Sequence, residues 1–144
     1  KASIAMLLAV VALASGCAAT GGNPNVAEDK VVYHVNDSKV QAANALRNVG
    51  NHLEVNPKAK IVVVTHAQGV DFLFDGAKDA NGNPFNIPVE QLKAQGVQFD
   101  VCEITLRNRK LSRSKFIPEA KFVPSGVAEI TRLQQREGYA YLRP

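Results

Sequence analysis

The chain has 144 residues, a formal net charge of +4, 17 Lys and Arg against 13 Asp and Glu, and two cysteines. That length supports one small domain with a single core. A mild basic excess, with no basic stretch interleaved with aromatics of the kind that stacks bases, excludes nucleic acid as the expected partner.

The chain opens on an apolar run from Ile4 to Ala14 (IAMLLAVVALA) that is long enough for a signal core and too short to span a bilayer. Lys1 is the one charge before it, and no initiator Met is present, so part of the preceding charged region is expected to be missing. The run closes on Ala14-Ser15-Gly16-Cys17, which resembles a bacterial lipobox: small residues ahead of a cysteine that is acylated and becomes the first residue of the mature chain. Leu is more usual where Ala14 stands, and an ordinary secretory signal with an incidental cysteine is the alternative. Residues 1–16 are therefore expected to be a lipoprotein signal. Residues 17–28, small, polar and glycine-bearing, are expected to be a flexible tether, and residues 29–144 the folded domain. The expected location is the periplasm, with the domain held to an envelope membrane by lipid on Cys17.

From Lys30 onward, short apolar runs alternate with amphipathic stretches, the pattern of βαβ units around a parallel sheet. Val31–Val35 is a first strand, and Asp37 is placed to cap a helix whose apolar face is Ala42, Ala45, Leu46, Val49 and Leu53. Pro57 ends that helix, and Ile61–Thr65 is a continuous apolar run suited to a strand buried on both faces. Gln68–Asp75 predicts a short helix and Asp79–Phe85 a surface loop. Pro88 opens a further helix that stops at Gly96, followed by a third strand over Val97–Cys102. Ile104–Lys110 predicts one to two helical turns, and Ala120–Val123 a short strand. Ser125 caps a last helix with Val127, Ile130 and Leu133 inward, closed by Gly138, and Tyr139–Leu142 is a final strand. The economical fold is an α/β three-layer sandwich of flavodoxin-like type with a mostly parallel five-stranded sheet. Right-handed crossovers place the strand carboxyl ends along one edge.

Ligands of open α/β sheets bind outside that edge. His34, His66 and Cys102 fall at or near the ends of the first three strands, with Asn36 and Asp37 on the same rim. If Cys17 is acylated, Cys102 is the one thiol of the folded part, and it is either a buried core residue or a reactive one. It precedes a helical segment whose amides favour a thiolate, and Arg107, Arg109, Lys110, Arg113 and Lys115 follow it. Those charges either attract small anions or form a solvated helix face. Two histidines and a cysteine on neighbouring strand ends also make a possible copper or zinc triad, although close-spaced metal pairs are absent. No glycine-rich phosphate loop follows the first strand, where VNDS stands, and no serine sits in a nucleophile elbow, so no cofactor is expected.

Several segments together resemble the exported branch of the DsrE/DsrF-like family: VVYHVND, the helix from Leu46-Arg47-Asn48 to Asn51-His52-Leu53, VVVTHAQGV, Gly96-Val97 to Val101-Cys102, and the ending VPSGVAEITRLQQREGYAYLRP. The resemblance covers Lys30 to the last residue. It implies a flavodoxin-like topology, closed trimers or hexamers, and a sulfur-relay role in which a cysteine after the third strand carries a persulfide. Cys102 matches that position. The leading expectation is thus an envelope sulfur carrier or sulfurtransferase-like protein. In it Cys102 takes sulfane sulfur from a small sulfur anion or a donor protein, with His34, Asn36, His66, Arg107 and Arg109 holding the anion or moving a proton. The alternatives are a His34/His66/Cys102 metal or small-ligand module, and a non-catalytic assembly protein with a merely buried Cys102.

Overall fold

The computed structural model describes residues 27–144. The expected signal, Cys17 and most of the expected tether lie outside the described residues.

Eleven elements follow one another: β1 (Lys30–Asp37), α1 (Ser38–Val55), β2 (Lys60–Gln68), a 3-10 turn (Asp71–Leu73), α2 (Asn86–Ala94), β3 (Gln98–Cys102), α3 (Glu103–Arg109), a second 3-10 turn (Arg113–Lys115), β4 (Ala120–Val123), α4 (Gly126–Glu137) and β5 (Ala140–Leu142). The five strands form one sheet in the order β4-β3-β2-β1-β5. Every pairing is parallel. The expected α/β sandwich with a five-stranded parallel sheet is what the chain forms.

Alternation along the strands divides the interior in two. Val31, Tyr33, Val35, Ile61, Val63, Phe99 and Val101 face α1, α2 and α3 in the larger core. Val32, Val62 and Val64 face the other way and meet Ile130 and Leu133 of α4. Each such side chain, fully buried, stabilises the fold by about 1.5–3 kcal/mol before entropy is counted. Three consecutive rightward crossovers put α1, α2 and α3 on one side, and the return from β4 to β5 puts α4 alone on the other. Among the described residues no helix is long and apolar enough to cross a membrane.

Local chemistry explains most boundaries. The Asp37 side chain accepts the Lys39 amide at 3.0 Å and starts α1, whose buried residues include all five of the expected apolar face. Asn56 leaves the helical region (φ −128°, ψ 84°), in keeping with the clash that disfavours helix before Pro57. Gly96 turns the chain into β3 at φ 95°, a conformation that favours glycine.

Two expectations are corrected. The short helix over Gln68–Asp75 shrinks to Asp71–Leu73, because β2 runs on through Gln68 and Gly69 then presses against β1. A β-carbon there would lie 2.1 Å from the Val35 carbonyl oxygen. Phe74 is drawn into an extended bridge with Phe116, which stops the helical turn. Val127 is not inward but 58% exposed. The buried stripe of α4 is Gly126, Ile130 and Leu133, at helical spacings of four and three, so the inward residue of the first turn is a glycine.

Candidate functional site

Register places the three reactive side chains on one face. His34 lies opposite Val64, and Thr65 opposite Val101, which sets His66 level with Cys102 one strand over. By alternation all three lie on the α4 side of the sheet, near its carboxyl edge. The first turn of α4 comes down beside them. A β-carbon at Gly126 would stand 3.2 Å from His66 Cβ and 3.3 Å from Cys102 Cβ. Glycine is what lets this helix start so close to both.

Cys102 is the free cysteine among the described residues. It is 5% exposed, yet it borders an open cleft of about 1230 Å³ together with His66, Thr105, Ser125, Val127 and Arg109. Burial pushes the thiol up, and this largest single influence is overcome by hydrogen bonds from the Gly126 amide, the Thr105 amide and hydroxyl, and the Ile104 amide. The net pKa lies below the ordinary thiol value. The Thr105 hydroxyl is well set for this role, because its oxygen accepts the Ala67 amide at 2.9 Å and its own proton remains to be donated. Ala67 holds a left-handed conformation (φ 51°) unusual for alanine, and its carbonyl is clamped by Arg109 at 2.9 Å.

The histidines form a chain of their own. His34 Nε2 meets His66 Nε2 at 2.6 Å, and His34 Nδ1 meets Tyr141 Oη at 2.6 Å. The imidazole centroids are 4.8 Å apart with planes 25° from parallel. Burial, then the neighbouring His66, then Arg143 hold the His34 pKa down to about 4. Burial and Arg143 also lower His66. Both rings are therefore neutral near pH 7. Their paired nitrogens face each other rather than a shared third point, and among the described residues no three His, Cys, Asp or Glu side chains are placed to hold a metal ion.

The remaining expected site residues fall in different places. The Asn36 side-chain oxygen accepts Arg143 at 3.1 Å, and Asn36 does not line the cleft. Arg109 lines the cleft but is committed to Asp71 at 2.6 Å. Arg107 is exposed and stands away from the cleft lining. Arg113 pairs with Glu103. The thiol's support thus comes from backbone amides and Thr105, not from the basic run. Gly126, Thr105 and Tyr141 had no role in the sequence reading. The Ser125-Gly126 start of α4 was the one available signal.

A parallel five-stranded sheet with a thiol at the carboxyl end of β3, seated under the starts of two helices, defines the class: a small α/β protein with a hydrogen-bonded thiol at the sheet edge. The chain belongs to the DsrE/DsrF-like family, which it matches over residues 30–144. It is similar to MTH1491 of Methanobacterium thermoautotrophicum, a protein of unknown function. The identity is 30% and the TM-score 0.72, with 81% of this chain and 100% of that one covered. The ychN protein of E. coli shares the fold at 18% identity and a TM-score of 0.64, over 79% of this chain and 99% of that one. No curated protein matches.

Proposed function

We propose that the protein is a sulfur carrier of the cell envelope, with Cys102 as the atom that is loaded. The observation that carries this reading is the surroundings of the sulfur: a nearly buried thiol at a cleft, accepting three amides and a hydroxyl that together lower its pKa. A thiol that only filled space would be lined by carbon and pushed up. The Cys102 thiolate attacks the terminal sulfur of a polysulfide or thiosulfate. A sulfur–sulfur bond forms at Cys102, the donor's sulfur–sulfur bond breaks, and the shortened polysulfide or sulfite leaves with the electron pair. Charge and oxidation level balance, and no cofactor takes part. The same amides that hold the thiolate hold the persulfide anion that replaces it.

The lipobox-like Ala14-Ser15-Gly16-Cys17 supports an envelope location, with acyl chains on Cys17 holding the domain to a membrane. Family membership supports a closed trimer or hexamer, which sedimentation of the purified protein would show. Intact-mass analysis after polysulfide treatment tests the carrier role. Increments of one or more sulfur atoms, reversed by dithiothreitol and absent in Cys102→Ser, are expected. An unchanged mass would sink the proposal.

A further inference from the structure

Sulfur loading as described makes no use of the side-chain chain that crosses the sheet edge. Tyr141 on β5, His34 on β1 and His66 on β2 stand side by side because their strands do, in the order β2-β1-β5. Two contacts of 2.6 Å join them. One end, Tyr141, is 40% exposed. The other, His66, borders the cleft beside Cys102, and Gly126 is the small residue that lets both side chains come up under α4. The row therefore runs from solvent to a cleft whose thiol is nearly sealed.

We propose that Tyr141, His34 and His66 conduct protons between solvent and the Cys102 cleft by tautomer exchange, and so serve the step in which a thiol acceptor discharges the persulfide. This rests on the carrier reading. One proton lies between the two Nε2 atoms, which leaves two arrangements. In the first, His66 donates to His34, His34 Nδ1 donates to the Tyr141 oxygen, and His66 Nδ1 is bare. An acceptor thiol in the cleft gives its proton to that nitrogen. The Nε2 proton of His66 passes to His34, the Nδ1 proton of His34 passes to Tyr141, and the tyrosine's own proton leaves to water. That is the second arrangement. The acceptor thiolate now attacks the outer sulfur of the Cys102 persulfide. The bond within the persulfide breaks, Cys102 is again a thiolate, and the acceptor's new persulfide anion takes the proton from His66 Nδ1 as it departs. Tyr141 passes its proton to His34 and draws another from water, His34 passes its Nε2 proton to His66, and the first arrangement is restored.

Neutral rings suit this task better than charged ones. Two imidazoliums cannot share the hydrogen bond, and Arg143 beside them opposes even one. A pair that cannot store a proton can still hand one along.

Discharge of the fully loaded protein to 2-mercaptoethanol tests the relay, timed by intact mass. Loading is completed first, so only discharge is read. Tyr141→Phe and His34→Gln are each expected to slow it by about tenfold or more, the lower range of general acid–base effects. The nitrogen-15 spectrum of the two rings in the parent protein is expected to show both tautomers populated in each. Discharge at the parent rate in both variants, or either ring locked in one tautomer, overturns the relay. A parent protein that gains no sulfur sinks the carrier reading instead, and the ring spectrum then decides the relay alone.

Discussion

Asp100→Asn is expected to make the protein more stable at neutral pH. Asp100 is fully buried on β3 beneath α4, and both of its oxygens accept from Gln98 Nε2, at 2.8 and 3.0 Å. Its surroundings raise the pKa from 3.8 to about 6. Burial is the largest cause, partly offset by Gln98 and Lys121, with Glu129 raising it further and Arg132 lowering it slightly. Arg132 gives little relief because it is held by Glu129 and Glu137. The folded state thus binds this proton more tightly than the unfolded chain does. Stability from the protonated carboxyl is fully present below the unfolded value and is lost as pH rises through the folded one. A difference of roughly two units, at about 1.36 kcal/mol each, is worth about 3 kcal/mol above pH ~7. Asparagine removes the charge at nearly constant volume, and rotation of Gln98 lets its amide oxygen accept from the new side chain. Urea unfolding of parent and variant between about pH 3.5 and 8 should give curves that coincide at the acid end and separate through the window. At about 4 °C per kcal/mol, the difference near neutral pH amounts to roughly 10 °C in Tm. Parallel curves across the whole range would refute the account of Asp100.

Gly69→Ala places a methyl 2.1 Å from the Val35 carbonyl oxygen and should cost about 3 kcal/mol or more, read as a lower denaturant midpoint. An unchanged midpoint would mean that β1 and the Gly69 turn give way freely. Thr105→Val removes the hydroxyl from the sulfur of Cys102 and lets the thiol pKa rise, so alkylation by iodoacetamide near pH 7 should slow severalfold. Thr105→Ser should restore most of the rate, and equal rates in all three proteins would remove Thr105 from the account. Cys17→Ala should leave the protein unacylated and free of membranes after fractionation of the native host. Continued membrane attachment would place the anchor elsewhere.

Much of this architecture could be read from residues that act locally. Asp37 before an apolar stripe, Asn56-Pro57 after it, and Ser125 and Gly138 around α4 each specify a boundary through a single cap or φ preference. The β-branched and aromatic run Val31–Val35 declared a strand, and the unbroken run Ile61–Thr65 declared one covered on both faces. The three reactive positions were legible because parallel strands bring their carboxyl ends together whatever the strand order. What depended on that order was hidden. Tyr141 meets His34 only because β5 returns to the outside of β1, across a separation of more than a hundred residues. Of the amides on the sulfur, that of Gly126 comes from α4, which crosses back over the opposite face. The pairings of the basic run were hidden for a different reason. Arg109 finds Asp71 and Arg113 finds Glu103, and nothing in the spacing of those acids predicts the pairings.

The two cores are unequal, and this bears on how the protein breathes. The side holding α1, α2 and α3 carries most of the buried apolar surface, whereas α4 is seated by Ile130 and Leu133 on three valines, with Tyr139 beside them. The segment from α4 to β5 is therefore the cooperative unit that opens at the lowest free energy, and its amides should exchange with solvent deuterium before those of β2 and β3. Each such opening lifts the Gly126 amide from the sulfur and parts Tyr141 from His34 in a single event. The thiol loses the Gly126 amide at the moment the row from Tyr141 to His66 is broken, while the Thr105 and Ile104 donors of α3 and the rest of the sheet stay in place. Reactivity at Cys102 is thus tied to the lifetime of one helix on its seat, and on warming it should fade at temperatures where the global fold still stands.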